Sequence, residues 1–250
     1  MLGPACCSNP PILNSFSGAG HVAKLGGVDA YLTGSPLCTF VILLVSDIFV
    51  FVFTCLICFV GYKAPILRMF ADKVAATGYY VVVPDFFNGD PYDPRNVDRP
   101  IDVWVKDHLP ETGFEVSQPI IEALKSKGIS TIGAAGFCWG AKTVCELGKS
   151  KLIQAAVLAH PSYITVDDIN GVNIPIAILG AENDQVTPPE VIKQFEQVLA
   201  ANSEVDSFVK IFPNVSHGWT IRYDTKDPEA VKASEEARQI LLDWFDKHLK

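Results

Sequence analysis

Cys138 sits at the centre of Gly136-Phe137-Cys138-Trp139-Gly140, between an apolar run that reads as a strand and a stretch that reads as a helix. Glycines flanking a sharp strand-to-helix turn let the backbone approach closely, so the central side chain is raised in a strained position. The familiar nucleophile turn carries Ser at its centre. Here a thiol takes that place, and a helix N-terminus favours its thiolate. The amide of Trp139 is then positioned to hold an oxyanion, and Ile48, in the loop after the first long strand, is expected to supply a second N–H. A glycine-rich turn holding an inert cysteine is the plainer reading of the pentapeptide alone. Its place between a strand and a helix favours the nucleophile.

A cysteine nucleophile needs a base and a group to orient that base. His217, in Val215-Ser216-His217-Gly218-Trp219, follows a strand closely and precedes a glycine, so its ring can turn towards a nucleophile. Asp184, in Gly180-Ala181-Glu182-Asn183-Asp184, follows the preceding strand, with Glu182 as the competing acid. Taken singly, Asp184 reads as a turn or capping residue, and a lone histidine says little. His160 is a weaker rival at another strand end, while His21, His108 and His248 read as surface residues. Chain order carries the case: nucleophile, acid and base follow successive late strands, as in the α/β-hydrolase fold.

The elements that must position these residues are legible as alternating patterns. Strands are expected at His21–Leu25, Val28–Thr33, Phe40–Val45, Tyr79–Pro84, Ser130–Ala135, Ala155–Ala159, Ile174–Leu179 and Ser207–Phe212. Helices are expected at Pro65–Thr77, Phe114–Lys127, Ala141–Lys149, Pro188–Ala201 and Pro228–His248. This alternation predicts one α/β domain over residues 1–250, with a mostly parallel sheet covered by helices on both faces. Ligands of such sheets bind beyond the carboxyl ends of the strands. Asp85 to Pro110 reads as a Pro- and Asp-rich loop forming a lid or rim.

Composition narrows the function. A net charge of −8 without a Lys/Arg cluster argues against nucleic acid and anionic membrane surfaces. Seven cysteines in no repeated spacing, with no basic-then-apolar start, suggest free thiols in the cytoplasm. No His/Cys cluster points to a metal, and the inferred chemistry requires no cofactor.

GFCWGAK, the Asp184 loop and SHGW together resemble the dienelactone hydrolase family. The opening CCSNPP and GHVAKLGGVDAYLTG, the stretch YYVVVPDFFNGDPY and the KHLK end resemble its plant members, often labelled endo-1,3;1,4-β-D-glucanases. The resemblance covers nearly the whole chain. It implies a Cys-His-Asp triad of Cys138, His217 and Asp184, and a carboxylate after the first long strand that touches the resting cysteine. Bacterial members use Glu there and this chain has Asp47. Arg222 lies near the place of an arginine that binds the substrate carboxylate, at a different spacing from the histidine. The implied activity is hydrolysis of a small ester or lactone by a monomer or weak dimer. A glucanase would need two carboxylates flanking a sugar cleft, and the spacing points to no such pair.

One segment departs from the family. Val50 to Val60, VFVFTCLICFV, stands where related chains pass directly from Phe49 to Gly61. It reads as a translated intron end, as part of a membrane span from Leu37 to Gly61, or as an apolar loop or hairpin beside the site. The span is the lesser reading, because it removes a buried strand from the sheet and sets Asp47 in the bilayer. The segment is expected to disturb Ile48 unless the fold accommodates it as a loop, so its removal is expected to raise activity and solubility, and the alternative function is a hydrolase-fold protein that binds small molecules with little or no turnover.

Overall fold

The computed structural model describes residues 18–48, 50–52 and 58–250. In chain order the elements are β1 (His21–Leu25), β2 (Val28–Thr33), β3 (Phe40–Val45), β4 (Val50–Val52), β5 (Cys58–Val60), α1 (Pro65–Ala75) and β6 (Tyr80–Pro84). They continue with α2 (Ile101–Asp107), α3 (Thr112–Ser126), β7 (Thr131–Phe137), α4 (Gly140–Lys149), β8 (Ala155–Ala159) and α5 (Val166–Asn170). The chain closes with β9 (Ile176–Asn183), α6 (Pro189–Ala201), β10 (Ser207–Ser216) and α7 (Pro228–Leu249).

Eight strands form one sheet in the order β1-β2-β6-β3-β7-β8-β9-β10. The β1-β2 and β2-β6 pairings are antiparallel, and every pairing from β6 to β10 is parallel. This is the α/β-hydrolase arrangement expected from the alternation of strands and helices. In β3, Val41, Leu43 and Val45 face one apolar layer while Ile42 and Leu44 face the other. A strand covered on both sides has no polar face, which explains its unbroken apolar sequence. The first layer includes Ile120, Leu124, Val144 and Phe195 from α3, α4 and α6. The second includes Ile66, Phe70, Leu241 and Phe245 from α1 and α7.

Three expectations need correction. The stretch from Asp85 to Pro110 contains the short helix α2, seated by the buried Trp104, whose indole N–H donates to the Asp90 carbonyl at 2.9 Å. His108 is no simple surface residue, because its ring stacks on Trp104 with 4.2 Å between centroids. Strands β9 and β10 extend further towards the site than expected, to Asn183 and Ser216, with a register shift between Phe212 and Ser216.

The apolar run from Leu37 to Gly61 is divided between two structures. Its first part is β3, in the middle of the sheet. In the second, β4 and β5 pair antiparallel as a separate two-stranded ribbon, with Val50 opposite Val60. Residues 53–57 of the atypical segment, and Cys6 and Cys7, lie outside the described residues. Among the described residues no helix is long and apolar enough to cross a membrane.

Candidate active site

Five neighbouring strands of the sheet deliver side chains to one end. β3 leads into Ser46-Asp47-Ile48, β7 into Cys138, β8 into His160, β9 into Asp184 and β10 into His217. Parallel pairing makes this convergence automatic, since all five carboxyl ends point the same way.

The turn at Cys138 is strained as its sequence implies. Cys138 has φ of 54°, in the left-handed region that a non-glycine residue rarely occupies. A Cβ at Gly136 would collide with the Gly140 backbone, and one at Gly140 would collide with the Val45 carbonyl. The two glycines therefore allow the strand, the turn and the start of α4 to pack against β3. The Cys138 amide donates to the Ala159 carbonyl at 3.2 Å, which fixes the turn against the adjacent strand end. Its sulfur lies 3.5 Å from the Ser162 hydroxyl.

His217 and Asp184 meet across the ends of β9 and β10. His217 Nδ1 and Asp184 Oδ2 are 2.7 Å apart, with both side chains almost fully buried. The other Asp184 oxygen accepts the Val186 and Thr187 amides at 2.8 and 3.1 Å, so the carboxylate cannot turn away. Glu182, the competing acid, instead accepts the Asn214 amide at 2.7 Å on the exposed side of the strand pair. Burial alone would lower the His217 pKa. The charge of Cys138 and the hydrogen bonds to Asp184 and Cys138 outweigh it and push the imidazolium up to about 9. A nearby negative charge and hydrogen bonds to the charged form both favour the protonated ring.

Asp47 and Arg222 occur together. Arg222 Nε lies 3.0 Å from Asp47 Oδ2, and both side chains are buried. Gly218, with φ of 94°, makes room for this arrangement, because a Cβ there would strike the guanidinium. The pair links the loop that carries Ile48 to the loop that carries His217. Ile48 is fully buried, and its carbonyl accepts the Tyr92 amide at 2.8 Å. Trp139 is held from the same side by its indole N–H, which donates to the His108 carbonyl at 3.0 Å. The segment from Asp85 to Pro110 therefore braces both residues expected to supply oxyanion donors.

The Dienelactone hydrolase family pattern matches residues 52–249. The chain belongs to the dienelactone hydrolase family. Its membership makes it a hydrolase of the ester and lactone type. A maize protein named endo-1,3;1,4-beta-D-glucanase is 38% identical over 206 residues, covering 80% of this chain and 63% of the maize protein. The mouse carboxymethylenebutenolidase homolog is 29% identical and covers 94% of this chain and 93% of its own length. A dienelactone hydrolase structure from Klebsiella pneumoniae superposes with a TM-score of 0.70 at 18% identity, covering 88% of this chain and 93% of that one. That likeness concerns the fold.

Two further residues, His160 and Ser162, stand beside the side chains of His217 and Cys138. His160, read as a rival base, is fully buried with Nε2 2.7 Å from the Thr220 hydroxyl. Its ring meets the His217 ring edge-on at 5.1 Å. Burial, followed by the charges of His217 and Arg222, keeps its pKa well below the usual value, so the ring is neutral. Ser162 was not anticipated. The signal available in the sequence was the pair of polar residues His160 and Ser162, separated by Pro161, directly after the apolar strand β8.

Proposed function

We propose that this protein hydrolyses small carboxylic esters or lactones through a thioester on Cys138. His217 takes the Cys138 proton, and the sulfur attacks the substrate carbonyl. The Trp139 and Ile48 amides hold the oxygen that becomes negative. The alcohol, or the ring-opened hydroxyl of a lactone, leaves with a proton from His217. His217 then activates water to cleave the thioester, while Asp184 holds the ring. The observation that carries this reading is the 2.7 Å His217–Asp184 contact at the same end of the sheet as the strained Cys138 turn.

Asp47 and Arg222 are the candidate substrate-binding residues. A substrate carboxylate would compete with Asp47 for the Arg222 guanidinium, so acidic substrates are expected to bind by exchanging one ion pair for another. The mechanism calls for no metal or organic cofactor, and the expected partner is a small ester or lactone. The maize relative's name supports a second reading, hydrolysis of mixed-linkage β-glucan. A panel of short-chain esters, lactones with and without a carboxylate, and mixed-linkage β-glucan distinguishes the two. Turnover of the esters or lactones, abolished in Cys138→Ala, is the expected result. Glucan turnover that persists in Cys138→Ala would overturn the thiol mechanism.

A further inference from the structure

The loop after β8 touches Cys138 and His217 and reaches Asp184 through Thr187. Its backbone is strained at two non-glycine residues, with φ of 38° at His160 and 59° at Tyr163. Strain of this kind persists where the surroundings hold it, and it clusters at functional sites. His160 is tied at both ends: its amide donates to the Leu179 carbonyl at 2.7 Å, and its ring meets Thr220. The Pro161 carbonyl accepts the Thr187 hydroxyl at 2.7 Å, and the Thr187 amide in turn holds Asp184. Ser162 engages Cys138 twice. Its amide donates to the Cys138 carbonyl at 3.1 Å, and its hydroxyl stands 3.5 Å from the sulfur.

A serine with no solvent exposure needs a hydrogen-bond partner, and the Cys138 sulfur supplies one. We propose that Ser162 is a further catalytic residue, whose hydroxyl donates to the Cys138 thiolate and holds it ready for attack. This inference rests on the thiol mechanism proposed above. In the first step the Cys138 S–H bond breaks, the proton passes to His217, and the electron pair stays on sulfur. Ser162 keeps its own proton and directs it at that pair. When sulfur bonds to the carbonyl carbon, the π pair moves to oxygen and the Ser162 contact weakens. The hydroxyl therefore acts on the resting thiolate: it enlarges the thiolate fraction at low pH and fixes the direction of the sulfur.

The test is the pH profile of Cys138 alkylation by iodoacetamide, read by peptide mass mapping from pH 5 to 10. It compares the full-length wild type with Ser162→Ala, Ser162→Gly and Ser162→Thr, each checked by circular dichroism. Loss of one hydrogen bond to a charged group is worth about one pH unit. In Ser162→Ala the midpoint should rise by about that much, with alkylation roughly tenfold slower below it and rates that converge at high pH. Ser162→Gly, which keeps the backbone contact, should behave alike and serves if the Ala variant does not fold. Ser162→Thr should restore the profile. A midpoint unmoved in a folded Ala or Gly variant, while Cys138 still labels first and turnover still depends on it, overturns this inference alone. Preferential labelling elsewhere, with turnover kept in Cys138→Ala, overturns the underlying mechanism as well.

Discussion

Cys138 and Cys145 are seven positions apart, both fully buried, and their sulfurs meet opposite surroundings. Cys138 stands on a strained turn before α4, facing His217 and the Ser162 hydroxyl. Cys145 lies inside α4, where its sulfur contacts the Asp168 carbonyl at 3.5 Å. Burial first, and the neighbouring Asp168 charge next, push the Cys145 thiol up to about 12, so it stays protonated at neutral pH. Asp168 itself is held charged by Lys142 at 2.7 Å and Lys149 at 3.2 Å, which keep its pKa well below the carboxylate range despite burial. Exposure therefore does not separate the proposed nucleophile from a structural thiol. What faces the sulfur does: an imidazole and a hydroxyl on one side of the comparison, a carbonyl and a fixed anion on the other.

The largest effects should fall on the Cys138 side. Cys138→Ala should lower kcat on an activated ester by roughly 10⁴-fold or more while leaving thermal stability nearly intact. Cys145→Ala should do the reverse, changing kcat less than about threefold and costing about 1–2 kcal/mol of stability through the lost packing. Paired kinetics and thermal melts check both, and a rate loss of similar size in the two variants would dissolve the contrast.

The acid and base come next. His217→Ala and Asp184→Asn should each reduce kcat by roughly 10³ to 10⁴-fold, because the base is removed in one and loses its orienting partner in the other. Glu182→Gln should change it less than about tenfold, since that carboxylate accepts the Asn214 amide on the exposed side of the strand pair. Steady-state rates of the three variants suffice, and equal losses at Asp184 and Glu182 would leave the acid unassigned.

A smaller effect sharpens the electrostatic side. The His217 imidazolium should titrate with a midpoint of about 9 in the wild type. In Cys138→Ala the midpoint should fall, because the foremost of the influences raising it is the Cys138 charge, while burial continues to lower it. Below the midpoint the ring is charged; above it the ring is neutral. Ring-proton NMR between pH 5 and 10 reads this, and an unchanged midpoint would show that Cys138 carries no charge beside His217.

These contrasts were unevenly legible in the sequence. The Cys138 turn announced itself because Gly136 is needed where the turn folds back on the start of α4 and Gly140 where α4 passes β3, and chain order paired Asp184 with His217. β1, β2, β3 and β8 matched their expected bounds, because apolar alternation or a continuous apolar run is a local property. Helix α2 was hidden because it is short and preceded by Pro100, and because the stacking of Trp104 on His108 seats it through tertiary contact. The Asp47–Arg222 and Lys142–Asp168 pairs join residues far apart in the chain, and the pairing itself leaves no spacing to read. The β4-β5 ribbon was one of three readings of Val50 to Val60, since that run contains no Gly or Pro to mark a turn.

The smallest expected effect concerns that ribbon. Ile48 is tied to the Tyr92 amide independently of β4 and β5, so deleting Val50 to Val60 should change kcat less than about tenfold. Loss of an oxyanion donor would cost roughly 10² to 10³-fold. Kinetics of the deletion variant, with sedimentation to follow association, separate these cases. A deletion that raises kcat a hundredfold would mean that the ribbon holds Ile48 out of place.

The central claim is that Cys138 becomes acylated during turnover. Its most direct test is to mix enzyme with an activated ester, quench in acid within the first turnover, and map the acyl mass to a peptide. The account predicts an acyl group on Cys138 that accumulates and decays at rates consistent with kcat, and is absent from Cys138→Ala. An acyl group on Ser162 or Cys145, or undiminished turnover in Cys138→Ala, would contradict it.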